Sequence, residues 1–357
     1  TASAVAAAQA LQSAAVGNET AASAPARVRI PYSELGMRNA LQLPRLPLPP
    51  LSDTLERYEA SLRGLDVSDA DRDAHLERAR RFFAADGSAQ HLQRHIENEA
   101  MQNAAAGRYP HTFVEELWDD MYLRHRGPAA PAMVPALALK PLGGRIRELI
   151  GGSTGINQER ANGSRKPDMQ CYTAAYLVHG LLRFARKINE EGIDVAANQP
   201  FDFHALTKQF GFTRTPTRRN GSSEPPKDGL SVAPLGEAMG HVVVMHRGHV
   251  FRVATRDRDG GYYHPEQLAR SFREVIVSTR EVGEAEFPVG ALTGVDRDTW
   301  ADARHGLVEC MDTNAKWLKE IDSAFTVVCL DSEPWGDDQS KILRGMLGGA
   351  SKSDVVS

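Results

Sequence analysis

The 357 residues are enough for one large domain or two, and 41% hydrophobic with 25% charged side chains excludes a disordered or fibrous chain. Lys plus Arg number 42 against 46 Asp plus Glu, a net charge of -4, so a surface built to grip nucleic acid or an anionic membrane is not expected. Three widely spaced cysteines, Cys171, Cys310 and Cys329, exclude a disulfide framework or a cysteine zinc site and point to a reducing compartment, and no run reaches the ~20 apolar residues of a membrane helix.

Residues 1–42 are rich in Ala and Ser and carry Arg27, Arg29 and Arg38, a composition that fits either a mobile extension or the remainder of an organelle-targeting segment. LPRLPLPPL (43–51) alternates proline with leucine and predicts a stiff, extended arm. Leu51, Leu55, Tyr58, Leu62 and Leu65 then form one apolar stripe at helical spacing. Ser68 reads as the N-cap of a second helix, with Asp71 completing a capping box, Leu76, Ala79 and Phe83 inward and Gly87 as its stop. A third helix is expected from Ser88 to Met101 through Leu92 and Ile96. Val114, Leu117, Trp118 and Met121 make a clean apolar face on a fourth, closed by Gly127-Pro128.

Residues 127–167 read as a long connection rich in Gly, Pro and Ala. A helix over 168–191 follows, with Ala174, Leu177, Val178, Leu181, Ala185 and Ile188 on its inner face. HVVVMH (241–246) and HVFRVA (249–254) flank Arg247-Gly248 and predict a hairpin. Pro265 opens a helix through Leu268 and Phe272; two more centre on Trp300 and on Trp317-Leu318; and AFTVVCL (324–330) reads as a buried strand. Helices followed by strands mixed with helices predict an α/β chain with a mixed sheet and flanking helices.

Several constellations could carry chemistry. GGSTG (151–155) matches the nucleophile elbow with Ser153, but the flanking RIRELI and INQERANGS supply neither the strand nor the helix that would strain the turn. His241, His246 and His249 sit in the hairpin with divergent directions, which favours hydrogen-bonded or solvated side chains over a metal site. Cys329 reads as a packed small hydrophobe. Arg214, Arg218 and Arg219 in RTPTRRN, near Lys227, could meet a phosphate, and a solvated loop is the default reading of such a run. A His-x-x-x-Asp motif is absent; His305 with Glu309 comes nearest. Spacing alone yields no active site.

From about residue 43 the chain resembles the carnitine/choline O-acyltransferase family. The resemblance rests on LPRLPLPPLSDTLERY (43–58), FVEELWDDMYLRHRGP (113–128), PFDFHALTKQFGFTRTP (200–216), HVVVMHRGHVFRV (241–253), PVGALTGVDRDTWADA (288–303) and IDSAFTVVCLD (321–331), all in family order. The family has two α/β domains of chloramphenicol acetyltransferase type facing each other across a tunnel. By that resemblance, residues 43–105 form an arm and helices packed on a second domain, and 106–357 form most of the first.

The resemblance further implies coenzyme A or acyl-CoA as co-substrate rather than a bound cofactor, carnitine or choline as acceptor, and no metal. A histidine removes the alcohol's proton; no histidine here matches it, and it is expected downstream of Ser357, so this chain reads as the N-terminal portion of the enzyme and as inactive alone. Tyr122 matches an aromatic lining the carnitine pocket. Its partners would be small-molecule substrates and its own C-terminal half, with no nucleic acid, in the mitochondrion or the peroxisome. The alternatives are a catalytically dead binding or interaction module and a serine hydrolase using Ser153.

Overall fold

The computed structural model describes residues 27–32, 47–106, 114–128, 169–196 and 204–332. Ser153 and the GGSTG segment, most of the 127–167 connection and the chain beyond 332 lie outside the described residues.

Three helices come first: α1 (Leu51–Leu62), α2 (Asp69–Phe83) and α3 (Ser88–Ala105). The Ser68 cap forms as expected, its Oγ accepting from Asp71 N–H at 3.1 Å. The Asp71 carboxylate, one methylene shorter than the usual glutamate, accepts the Ser68 hydroxyl at 2.6 Å. The α1 stripe departs from expectation. Leu62 is buried, whereas Tyr58 and Leu65 are exposed, as are Phe82 on α2 and Leu92 and Met101 on α3. These helices pack on one another in sequence and leave apolar side chains facing out.

Next come α4 (Val114–Arg124) and α5 (Met169–Glu191). The inner stripe of α5 is rotated from the one expected. Cys171, Tyr172, Ala175, Val178, Leu182, Ala185 and Ile188 are buried, while Leu181 is exposed. Arg27–Ile30, within the Ala/Ser-rich stretch, forms strand β1, which pairs antiparallel with β2 (Ile193–Ala196) and buries Ile30.

The central unit follows. β3 (Phe212–Thr215) and β4 (Gly229–Val232) form a small antiparallel sheet. After a short α6 (Leu235–Ala238), β5 (His241–His246) and β6 (His249–Ala254) make the predicted hairpin. Arg247 and Gly248 both have positive φ, 51° and 77°, as a two-residue primed turn requires. Helices α7 (Pro265–Val282), α8 (Arg297–Cys310) and α9 (Asp312–Asp322) lead to β7 (Val327–Cys329), which adds parallel to β5. The sheet order is β6-β5-β7, a mixed sheet with flanking helices, in keeping with the α/β expectation.

Strand β5 divides the molecule. Val242 and Val244 point into a core shared with Phe272 and Leu268 of α7, Val178 of α5 and Phe325. Val243 and Met245, one residue out of phase, point to the other side. β7 corrects the reading of 324–330 as wholly buried. It is a three-residue edge strand on which Val328 packs toward the core while Val327 and Cys329 are exposed. Cys329 is therefore an exposed thiol, not a packed hydrophobe. The hydrophobic run supplied side chains for both faces, and only one face of the edge is covered.

Candidate substrate cleft

The second face of the sheet is the wall of a cleft of about 620 Å³. Val243, Met245, Val250 and Val327 form its back. α4 supplies Trp118, Met121 and Tyr122, and α8 and α9 supply Trp300, Leu318 and Ile321. The α4 face that reads as core in the sequence is not core: Trp118 is 57% and Met121 61% exposed. Periodicity records that a helix has an apolar side, not what that side meets.

The polar end of the cleft is built around Asp228, whose side chain is fully buried. Arg126 Nη1 donates to Asp228 Oδ1 at 2.5 Å, and Arg214 Nε and Arg297 Nε each donate to Oδ2 at 2.8 Å. The Thr217 N–H adds a bond at 3.0 Å. Burial by itself pushes the Asp228 carboxyl up; the Thr217 N–H, Arg297 and Arg126 outweigh it and hold it below the ordinary carboxylate range. Arg126 also donates to Asp298 at 2.9 Å. Burial, countered by Asp228, lowers the proton affinity of Arg297, whose Nη2 is a buried donor without a partner among the described residues.

This cluster fastens the end of α4. Arg214 Nη2 donates to the carbonyls of Leu123 at 3.3 Å and His125 at 2.9 Å. The Asp228 N–H donates to Leu123 and the Arg297 N–H to Arg126. The Arg214 guanidinium lies over the Tyr122 ring, 4.7 Å from its centroid. The solvated-loop reading of the arginine run is thus corrected at Arg214, which lies on β3 and reaches inward because Asp228 on the neighbouring chain segment compensates it. Arg218 and Arg219 are exposed and pair with Asp302 and Asp298 of α8.

His125 is the histidine of the cleft lining, and its ring has no hydrogen-bond partner among the described residues to orient it as a base. The hairpin histidines are occupied elsewhere: His241 with the Glu320 carbonyl, His246 with Thr279 Oγ1 and His249 with the Gly283 carbonyl. His305 forms an exposed pair with Glu309 along α8. Among the described residues no three His, Cys, Asp or Glu side chains gather as metal ligands, and no helix is long and apolar enough to cross a membrane.

The model of the choline/carnitine O-acyltransferase family matches residues 46–354. The chain belongs to this family. It is similar to carnitine O-palmitoyltransferase 2, mitochondrial, of Rattus norvegicus, 27% identical over 312 residues, which are 83% of this chain and 44% of the relative. The corresponding human protein is 24% identical over 312 residues, with the same coverage of 83% and 44%. A carnitine O-acetyltransferase of Columba livia is 23% identical over 294 residues, 81% of this chain and 41% of the relative. The chain therefore spans less than half the length of these relatives.

In this family member, Tyr122 sits at the cleft wall beside Trp118 and under Arg214. Sequence reasoning missed Arg126, Asp228 and Arg297 as site residues. The available signal was Asp228, the second of two acids (with Glu224) that follow a run of arginines, which has meaning only once β3 and β4 pair.

Proposed function

We propose that this chain is the N-terminal portion of an enzyme that transfers an acyl group between coenzyme A and the hydroxyl of carnitine or choline. The observation that carries the reading is the apolar 620 Å³ cleft walled by the family-matching helix α4, with Tyr122 clamped at its polar end. In the reaction the alcohol oxygen attacks the thioester carbonyl while a base removes its proton; the carbon–sulfur bond breaks and the departing sulfur takes a proton. An unassisted alcohol is a poor nucleophile at neutral pH, and a positioned base contributes roughly 10²–10⁴-fold. That base is assigned to a histidine beyond Ser357.

The described residues supply binding. Trp118 and Tyr122 offer aromatic faces to a quaternary ammonium, the valines and Met245 offer an acyl-compatible wall, and a closed cleft would keep water from the thioester. Residues 43–105 are assigned to packing on a second domain formed by the rest of the protein, and 106–357 to most of the first; the outward apolar side chains of α1–α3 support this. The names of the mammalian relatives favour a mitochondrial location. The test is release of free coenzyme A thiol by the complete gene product. Release that depends on added carnitine or choline supports the assignment, and release independent of both refutes it.

A further inference from the structure

A second recess, of about 270 Å³, shares no lining residue with the cleft. His179, Leu182, Arg183 and Arg186 recur along one stripe of α5, and Tyr262 and His264 close it from the segment that leads into α7. The imidazoles of His179 and His264 are nearly parallel, centroids 6.4 Å apart. His179 Nδ1 donates to the Tyr263 carbonyl at 3.2 Å, which fixes the ring and leaves Nε2 for another partner. Arg186 and Arg256 lie on the Tyr262 ring, at 5.9 and 4.7 Å from its centroid.

No carboxylate lines the recess. The acids nearby are engaged: Glu190 lies 3.7 Å from Arg186, and Glu266 accepts from the Tyr176 hydroxyl at 3.2 Å. Arg183 makes no ion pair or hydrogen bond among the described residues. Burial, then Arg183 and His264, depress protonation of His179, against the opposing Tyr263 carbonyl and Glu266. Among the described residues Arg183 thus faces the recess without a compensating acid and Arg186 has only the exposed Glu190 beside it, so an anion in the recess would be attracted by both guanidinium groups.

We infer that this recess binds a phosphoryl anion, with Arg183 and Arg186 as its charged donors, His264 as a flanking N–H donor, and His179 joining through Nε2 only when its ring carries a second proton. A phosphate monoester carries nearly two charges and several acceptor oxygens, which suit guanidinium forks and imidazoles better than a single carboxylate does. The source is a soluble phosphate compound or a phosphomonoester lipid headgroup.

The test is equilibrium dialysis of the intact gene product against radiolabelled inorganic phosphate at about pH 7. Saturable binding is expected, at least about tenfold weaker in the Arg183→Ala, Arg186→Ala double variant. Both arginines are exposed, so an unchanged melting temperature serves as the folding control. Absence of saturation in the low millimolar range, or equal binding by the variant, overturns the inference. Phosphatidylcholine vesicles with and without phosphatidic acid separate the sources: arginine-dependent sedimentation with phosphatidic acid assigns the lipid headgroup, and phosphate binding without sedimentation assigns the soluble anion.

Discussion

The Arg214 guanidinium stacks on the ring of Tyr122 while it donates to Asp228 and to the His125 carbonyl. One side chain therefore fixes both the aromatic at the cleft wall and the end of the helix that carries it. Arg214→Ala in the complete enzyme should raise KM for the alcohol substrate about tenfold, in line with a lost cation–π contact of roughly 1–2 kcal/mol. Arg214→Lys should recover little, because an ammonium cannot replace the planar fork. A KM unchanged in both variants, measured with carnitine and with choline, would separate Tyr122 from substrate binding.

Removing the acid at the centre of the cluster leaves the Arg214 and Arg297 guanidinium groups without a carboxylate partner among the described residues, while Arg126 keeps Asp298. Asp228→Asn should destabilise the fold by about 3–5 kcal/mol. Chemical denaturation of the variant and the parent, with the slope compared as well as the midpoint, measures it. A loss below about 1 kcal/mol, the range of an exposed pair, would mean the cluster is open to water.

Acid should act through the same residue. The folded Asp228 carboxyl titrates below its unfolded value of about 3.9. Its contribution is fully present above that unfolded value and is lost as pH falls through the lowered folded value. Melting temperature followed downward from about pH 5 should fall more steeply in the parent than in Asp228→Asn.

The apolar face of α4 gives the opposite expectation from a core. Trp118→Ser with Met121→Ser should change the stability of the 357-residue chain by no more than about 0.5 kcal/mol, as at other exposed positions. The same pair should sharply impair turnover by the complete enzyme. A large stability loss in the chain would return this face to the core.

The hairpin turn offers a backbone test. Gly248 has a φ of 77°, and a Cβ there would meet the Pro288 Cβ at 2.9 Å. Gly248→Ala should cost about 1–3 kcal/mol by strain and crowding together. A neutral substitution, read by thermal melting, would show that the turn relaxes.

The helices and the β5–β6 hairpin were legible from sequence because each rests on local rules: apolar spacing, the Ser68 cap and a two-residue turn between β-rich runs. The family was legible too, since its motifs fall in order along the chain and the family match spans residues 46–354. Which apolar face is covered was not. The α5 stripe buried Leu182 and left Leu181 out, α4 kept its face open, and β7 became an edge among the described strands, because burial depends on what arrives from elsewhere in the chain. The candidate site was decided at the same level. Asp228 meets Arg214 from 14 positions away and Arg126 from 102, so the charge compensation that turns an arginine run into a buried anchor exists only after the chain has folded.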